Sequence, residues 1–237
     1  INFRGFPENL NKPLDVVCVP STVGTGSEVV YNASFIDNNT KTKLGINSKL
    51  NYPKLAILDP LVVSSMPFNV LASSACDALV HSLEGFVSKK ASINSMFFSK
   101  KAFNLIMQNL PILLTKNGNI KNWSNMQWAA VYAIWGLSNS SSGPTGALSY
   151  YLGSNFNVSH GVAGACFIGK ISRLNLKKGL YIYSELLDTH EKIKNNKLNA
   201  TKVIVKIEKL LKLKKISQKL ENYGVNNNNI SGFISFT

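Results

Sequence analysis

The clearest chemical pairing in the sequence is Asp77 and His81, in the run Asp77-Ala-Leu-Val-His81. On a helix, positions four apart share a face. One carboxylate and one imidazole then stand side by side on a rigid element, which suits a divalent metal needing two ligands. The same spacing serves an ordinary surface pair or a satisfied buried pair, so taken alone it leaves both readings open. A second candidate is Asn157-Val-Ser-His160-Gly161. A His followed by Gly at a break between helices can turn its ring into a cleft, or it can cap a helix or fill a core. The remaining histidine, His190, lies among charges in Asp188-Thr-His-Glu-Lys192 and reads as solvent-exposed. A third candidate is Pro20-Ser-Thr-Val-Gly-Thr-Gly-Ser-Glu28. Its glycines let backbone approach a ligand closely, and its hydroxyls and free N–H groups suit phosphate oxygens or a ribose. It matches neither the G-x-G-x-x-G fingerprint nor the P-loop, and alone it could be a tight turn.

The elements that must hold these residues change in texture along the chain. Asp15-Val-Val-Cys-Val-Pro20 is a short β-branched run ended by proline and reads as a buried strand. Ala33–Asp37 and Lys41–Ile46, separated by Asn38-Asn39, read as a hairpin. Leu55-Ala-Ile-Leu58 before Asp59-Pro60 is expected to be a second short buried strand. After Pro67 the apolar spacing becomes helical. Helices are expected over Phe68–Ser88, Phe97–Leu113 and Trp123–Leu137, with a break at Ser138–Gly146. Ala147–Leu152, Gly161–Leu174, Tyr181–Leu187 and Ala200–Tyr223 are expected to complete the helical set. The fold class is therefore an α/β remnant of a few strands followed by a mostly α-helical domain. The boundary falls near residue 61, giving segments 1–61 and 62–237. Trp123, Trp128 and Trp135 read as helix core, and Cys76 as small-residue packing.

Composition limits the function classes. The 237 residues are 45% hydrophobic and 16% charged, which excludes a disordered tail. Cys18, Cys76 and Cys166 are few, odd in number and widely spaced, which argues against a disulfide framework and fits a reducing, cytoplasmic setting. No apolar run was expected to reach the ~18–20 residues of a membrane span, and no signal peptide opens the chain. The net charge of +14 raises a polyanion partner. The lysines, however, are scattered or lie on the amphipathic stretch Lys202–Lys219, which reads as a core-facing helix with a solvated basic side. Richness in Asn, Lys and Ile also has a compositional origin in AT-rich coding sequence. The expectation is no nucleic-acid partner and no membrane.

Taken together and in order, the motifs resemble the iron-containing (group III) alcohol dehydrogenase family. The resemblance is carried by Pro20–Glu28, Lys41-Thr-Lys-Leu-Gly45, Ala56-Ile-Leu-Asp-Pro60, Asp77-Ala-Leu-Val-His-Ser-Leu-Glu84, and Ala147-Leu-Ser-Tyr-Tyr-Leu-Gly153 leading into His160-Gly-Val-Ala163. It runs from about residue 14 to about residue 175. It implies a two-domain dehydrogenase with NAD or NADP on an α/β domain and a divalent metal, Fe2+ or Zn2+, on a helical one. Carried over residue by residue, Ser21, Thr22 and Thr25 would touch the dinucleotide and Lys43 would lie near it. Asp77, His81 and His160 match three metal ligands. Tyr150 stands where the family has a second histidine, and a proton-relay role follows for it as a hypothesis.

Two departures qualify the resemblance. The family's glycine-rich pyrophosphate motif is expected upstream of residue 1. The chain opens on Ile1 rather than Met, and its end is expected to stop before the family's last helices, so it reads as a fragment, inactive by itself. The family's other histidine ligand, about fourteen residues before His160, is Gly146 here. Three protein ligands still leave the open position that catalysis uses. The expected activity is interconversion of a small or sugar-derived alcohol with an aldehyde or ketone, with a homodimer possible. The alternatives are a dehydroquinate synthase-like non-redox enzyme and a non-catalytic remnant.

Overall fold

The computed structural model describes residues 5–7, 11–37, 42–213 and 219–236. Its strands lie in the first quarter of the chain. β1 (Val17–Cys18) pairs in parallel with β4 (Leu55–Ala56), in the register Val17↔Leu55 and Cys18↔Ala56. β2 (Asn32–Asp37) and β3 (Thr42–Asn47) form the expected antiparallel hairpin as a separate sheet, from Asn32↔Asn47 to Asp37↔Thr42. The turn between them, at 38–41, lies outside the described residues. β1 and β4 are not the buried strands that their sequence promised. Val17 is 56% and Leu55 52% exposed, because no second layer among the described residues covers this parallel pair.

Asp59 starts the helical part by accepting a hydrogen bond from Leu61 N, with Pro60 at the first helical position of α1 (Pro60–Ser64). The central element is α2 (Phe68–Val87). Its residues from Ala75 to Phe86 are buried without exception, so it has no polar outer face. It packs against α3 (Ile93–Leu114), α4 (Ile120–Ser138) and α6 (His160–Lys177). By length and composition alone α2 could cross a membrane, contrary to expectation, yet 78% of its apolar window is buried inside the protein.

Reciprocal capping boxes set the starts of α3 (Ser92 with Ser95) and α4 (Asn119 with Asn122). α5 (Pro144–Phe156) begins with proline at its first turn and is longer than the expected 147–152. It ends where Asn157 takes a left-handed conformation at φ 54°. Two expected helices are corrected. Tyr181–Leu187 is a 3-10 turn at Ile182–Leu186. The long terminal helix is α7 (Asn196–Leu213), with 214–218 outside the described residues and a 3-10 turn at Leu220–Tyr223. A last short helix, α8 (Ser231–Phe236), packs on α5.

α7 buries Val203, Ile204, Ile207, Leu210 and Leu211 and leaves Lys202, Lys209 and Lys212 exposed, so its basic side is the solvated one. A bidentate pair fastens α7 to α6, with Arg173 donating to both Glu208 oxygens at 2.6 Å. Of the three tryptophans, only Trp123 packs against the core. Trp128 is 41% exposed, and Trp123 and Trp135 are only half-buried. Trp128 and Trp135 instead join Tyr132 and Phe98 in an aromatic cluster along the α3–α4 seam, with ring centroids 5.4–6.0 Å apart.

Candidate metal centre

Asp77 and His81 lie one turn apart on α2, as their spacing predicted, and both are buried. His160 comes to them from α6. The close approach depends on Gly161: a Cβ there would lie 1.9 Å from the Ser73 carbonyl oxygen and 2.8 Å from Asp77 N. Only a residue without a side chain lets the first turn of α6 rest on the backbone of α2. Across the same gap, Ser73 Oγ donates to Ser159 Oγ at 2.8 Å. The result places His81 Nε2 3.4 Å and His160 Nε2 3.7 Å from Asp77 Oδ1. One ligand atom from each of the three residues lies within 4.8 Å of the others.

The remaining polar atoms of Asp77 and His160 are held from behind. Thr25 Oγ1 donates to Asp77 Oδ2 at 2.9 Å, which leaves Oδ1 facing the imidazoles. His160 Nδ1 lies 3.2 Å from Ser149 Oγ on α5, and the Tyr150 ring stacks on His160 at 5.0 Å between centroids. α5 is itself anchored by Glu84 of α2. This buried carboxylate accepts from Thr145 N at 2.8 Å and Gly146 N at 3.2 Å, placing a negative charge on the α5 N-terminus. His81 Nδ1 is buried without a partner.

A divalent metal fits this donor set. Asp77 is only 6% exposed, and among the described residues its ion-pair partners are the two histidines, with no Lys or Arg beside it. A buried carboxylate without a fixed cation is costly, and a bound cation resolves that cost. The N, N, O ligand types suit a first-row divalent ion. Gly146 adds no side chain to the set.

His81 and His160 border a cavity of about 600 Å3 between the β2–β3 hairpin and the end of α4, and Asp77 lies behind them. Thr25, Asn32, His81, Ser138, Tyr150 and His160 are among its walls. Of the residues expected to touch a dinucleotide, Thr25 lines this cavity and also orients Asp77. Ser21 and Thr22 are exposed in the preceding loop and do not line it. Lys43 stands in β3 opposite Ile36, with its side chain outside the described ones. His190 is exposed and away from the site. Burial, then the charges of Asp77 and Glu84, raise the Tyr150 phenol above its ordinary 10.0. Desolvation raises the Glu28 carboxyl, opposed in part by a backbone hydrogen bond.

Sequence reasoning missed the work of Ser149 and Glu84. Ser149 carries no local signal, since it lies eleven residues before His160 and meets it only through the α5–α6 packing. Glu84 did carry one. It is three residues beyond His81 on the same buried helix, and a buried carboxylate requires a partner.

The comparisons with known proteins agree with this geometry. The model "Fe-containing alcohol dehydrogenase family, C-terminal" matches residues 71–235, and "Iron-containing alcohol dehydrogenase" matches 3–60. The chain belongs to the iron-containing alcohol dehydrogenase family. A 1,3-propanediol dehydrogenase of Citrobacter freundii is 34% identical over 71% of this chain and 44% of its own length. A 4-hydroxybutyrate dehydrogenase of Clostridium kluyveri is 33% identical over 71% of this chain and 46% of its own. The chain thus spans about half the length of these relatives. The crystal structure of a 1,3-propanediol oxidoreductase superposes with a TM-score of 0.90 at 28% identity, covering 99% of this chain and 62% of that one. An iron-containing alcohol dehydrogenase from Thermococcus thioreducens superposes at 0.77 with 26% identity, over 93% and 56%.

Proposed function

We propose that this chain is the metal-bearing part of an NAD(P)-dependent oxidoreductase that interconverts an alcohol and an aldehyde or ketone by hydride transfer. The observation that carries the reading is the convergence of Asp77, His81 and His160, with the two histidines on the wall of an open cavity. Membership of the family and the names of the relatives support it. In this reading Asp77, His81 and His160 would hold Fe2+ or Zn2+, which would supply Lewis acidity toward the alcohol or carbonyl oxygen. Three protein ligands would leave a position open to substrate or water.

The protein's own part is orientation. Thr25 and Ser149 keep the ligands aimed, and the buried floor formed by α2 excludes water from behind them. Tyr150, with its raised pKa, keeps its proton at neutral pH. Its role here is to pass a proton through its hydroxyl rather than to act as a phenolate base. Ser21, Thr22, Thr25 and Lys43 are assigned to the dinucleotide, NAD or NADP. Residues 1–61 are the end of the dinucleotide-binding domain and 62–237 the metal domain. The substrate is a small alcohol or its aldehyde, in a cytoplasmic enzyme with no nucleic-acid or membrane partner, and a homodimer is the assembly to test first.

The test is metal analysis together with turnover. The purified chain is expected to retain one Fe2+ or Zn2+, and His81→Ala to retain none. Equal metal in both would overturn the assignment. NADH oxidation with a panel of small aldehydes then separates a working dehydrogenase from a metal-binding piece that needs the rest of the cofactor domain.

A further inference from the structure

Ser149 is a fully buried serine one helical turn from Gly146 and eleven residues from His160, and its hydroxyl touches both. The Gly146 carbonyl oxygen can only accept, so the single hydroxyl hydrogen is committed along the 2.7 Å contact to it. At His160, 3.2 Å away, the Ser149 oxygen is therefore left with lone pairs only. The His160 atom that meets it, Nδ1, must bring the proton. In the neutral ring Nε2 is then the unprotonated nitrogen, and Nε2 is the atom that faces Asp77 Oδ1.

We infer that Ser149 is a positioning residue that locks His160 in the Nδ1–H tautomer and so presents Nε2 as a ready metal ligand. His81 provides an internal contrast. Its Nε2 also faces Asp77, but its Nδ1 is buried with no partner among the described residues, so none of these selects its tautomer. The two imidazoles thus reach the same carboxylate by different means. His81 is held by packing inside α2, and His160, half-buried at the cleft, is held by a hydrogen bond. The lock depends on α5 keeping its place, which the Glu84 carboxylate secures by accepting from Thr145 N and Gly146 N. The inference rests on the metal reading for its purpose and not for its geometry.

The experiment compares the full chain with Ser149→Ala by long-range imidazole 1H–15N correlation without metal, and by Zn2+ titration against a chromophoric chelator. The wild-type His160 pattern is expected to be that of a pure Nδ1–H tautomer. In Ser149→Ala it should move toward a mixture, while the His81 pattern stays put. Zn2+ affinity should fall about tenfold or more, the usual loss when a metal-binding histidine loses its outer partner. Ser149→Thr keeps a hydroxyl that can still reach the carbonyl three residues back, and should recover the tautomer pattern. An unchanged His160 pattern in Ser149→Ala overturns the inference, even if Zn2+ affinity falls, since Ser149 would then act only through packing. A wild-type chain that binds no Zn2+ would sink the metal reading, while the tautomer measurement would still decide on Ser149.

Discussion

The region around α2 and the region around β1 and β4 are built from similar residues and end in opposite conditions. α2 is enclosed on every side from Ala75 to Phe86 and meets α3, α4 and α6, so Leu79, Leu83 and Phe86 are almost wholly buried. The β1–β4 pair is also rich in Val and Leu, yet Val16, Val17, Val19 and Leu55 remain about half-exposed. Two residues per strand give two rungs of a parallel ladder and no covering layer. The difference shows which half of the site is fully specified within the described residues. The metal ligands rest on elements locked from all sides. Ser21, Thr22 and Thr25, assigned to the dinucleotide, sit on a loop between an exposed strand pair and a hairpin, and Lys43 sits in the hairpin itself.

That contrast should appear first in stability. Leu83→Ala empties a fully enclosed position on α2. It is expected to cost about 2–5 kcal/mol. Val17→Thr, on the exposed strand, should stay within about 0.5 kcal/mol. Urea unfolding followed by tryptophan fluorescence measures both. Similar losses at the two positions would mean that the β1–β4 pair is covered in solution, and the comparison would fail.

The next largest effect is expected at the seam that joins the ligands. Gly161→Ala places a methyl group against the Ser73 carbonyl and Asp77 N, both of them backbone that cannot rotate away. α6 must withdraw from α2, at about 1–3 kcal/mol. The withdrawal carries His160 away from Asp77, so metal retention should fall together with stability. Gly179→Ala is a poor control because Gly179 has a positive φ, so the comparison variant is Ala163→Gly on the same helix, which loosens packing without pushing α6 outward. A Gly161→Ala chain that retains its metal fully would show that the seam tolerates more than its geometry allows.

The sequence exposed half of this centre. Asp77 and His81 were legible because their relation is local: one helix, one turn, one face. The nearness of His160 was not local. It depends on Gly161 meeting the Ser73 backbone, and only the resemblance to a family, not any spacing, had joined the three residues. The hairpin was legible from Asn38-Asn39 between two alternating runs, and the helices from their periods. Burial was harder to read. Val16–Val19 looked interior because β-branched runs usually are, but burial belongs to the neighbouring layer and not to the run itself. Trp128 and Trp135 failed for the same reason. Their spacing marks a face of α4, and this face meets Phe98 along a seam partly open to solvent.

The smallest expected effect lies where the two regions meet. Glu28 ends the glycine-rich loop in the 3-10 turn Ser27–Val29, which packs against α4, and its carboxyl is buried. Desolvation raises its pKa above the ordinary 4.5, so the folded chain holds that proton more tightly than the unfolded chain does. The sign follows from linkage. Above the raised folded value both states are ionised, and the buried charge lowers stability. As pH falls through the folded value toward 4.5 the folded state takes up a proton first, and the penalty disappears. Glu28→Gln removes the charge at every pH. It should raise the urea midpoint at pH 7, and the gain should shrink toward nothing near pH 4.5. A gain that stays constant with pH would mean that the substitution repacks the loop instead of relieving a charge, and the junction would then be no more constrained than the open strands beside it.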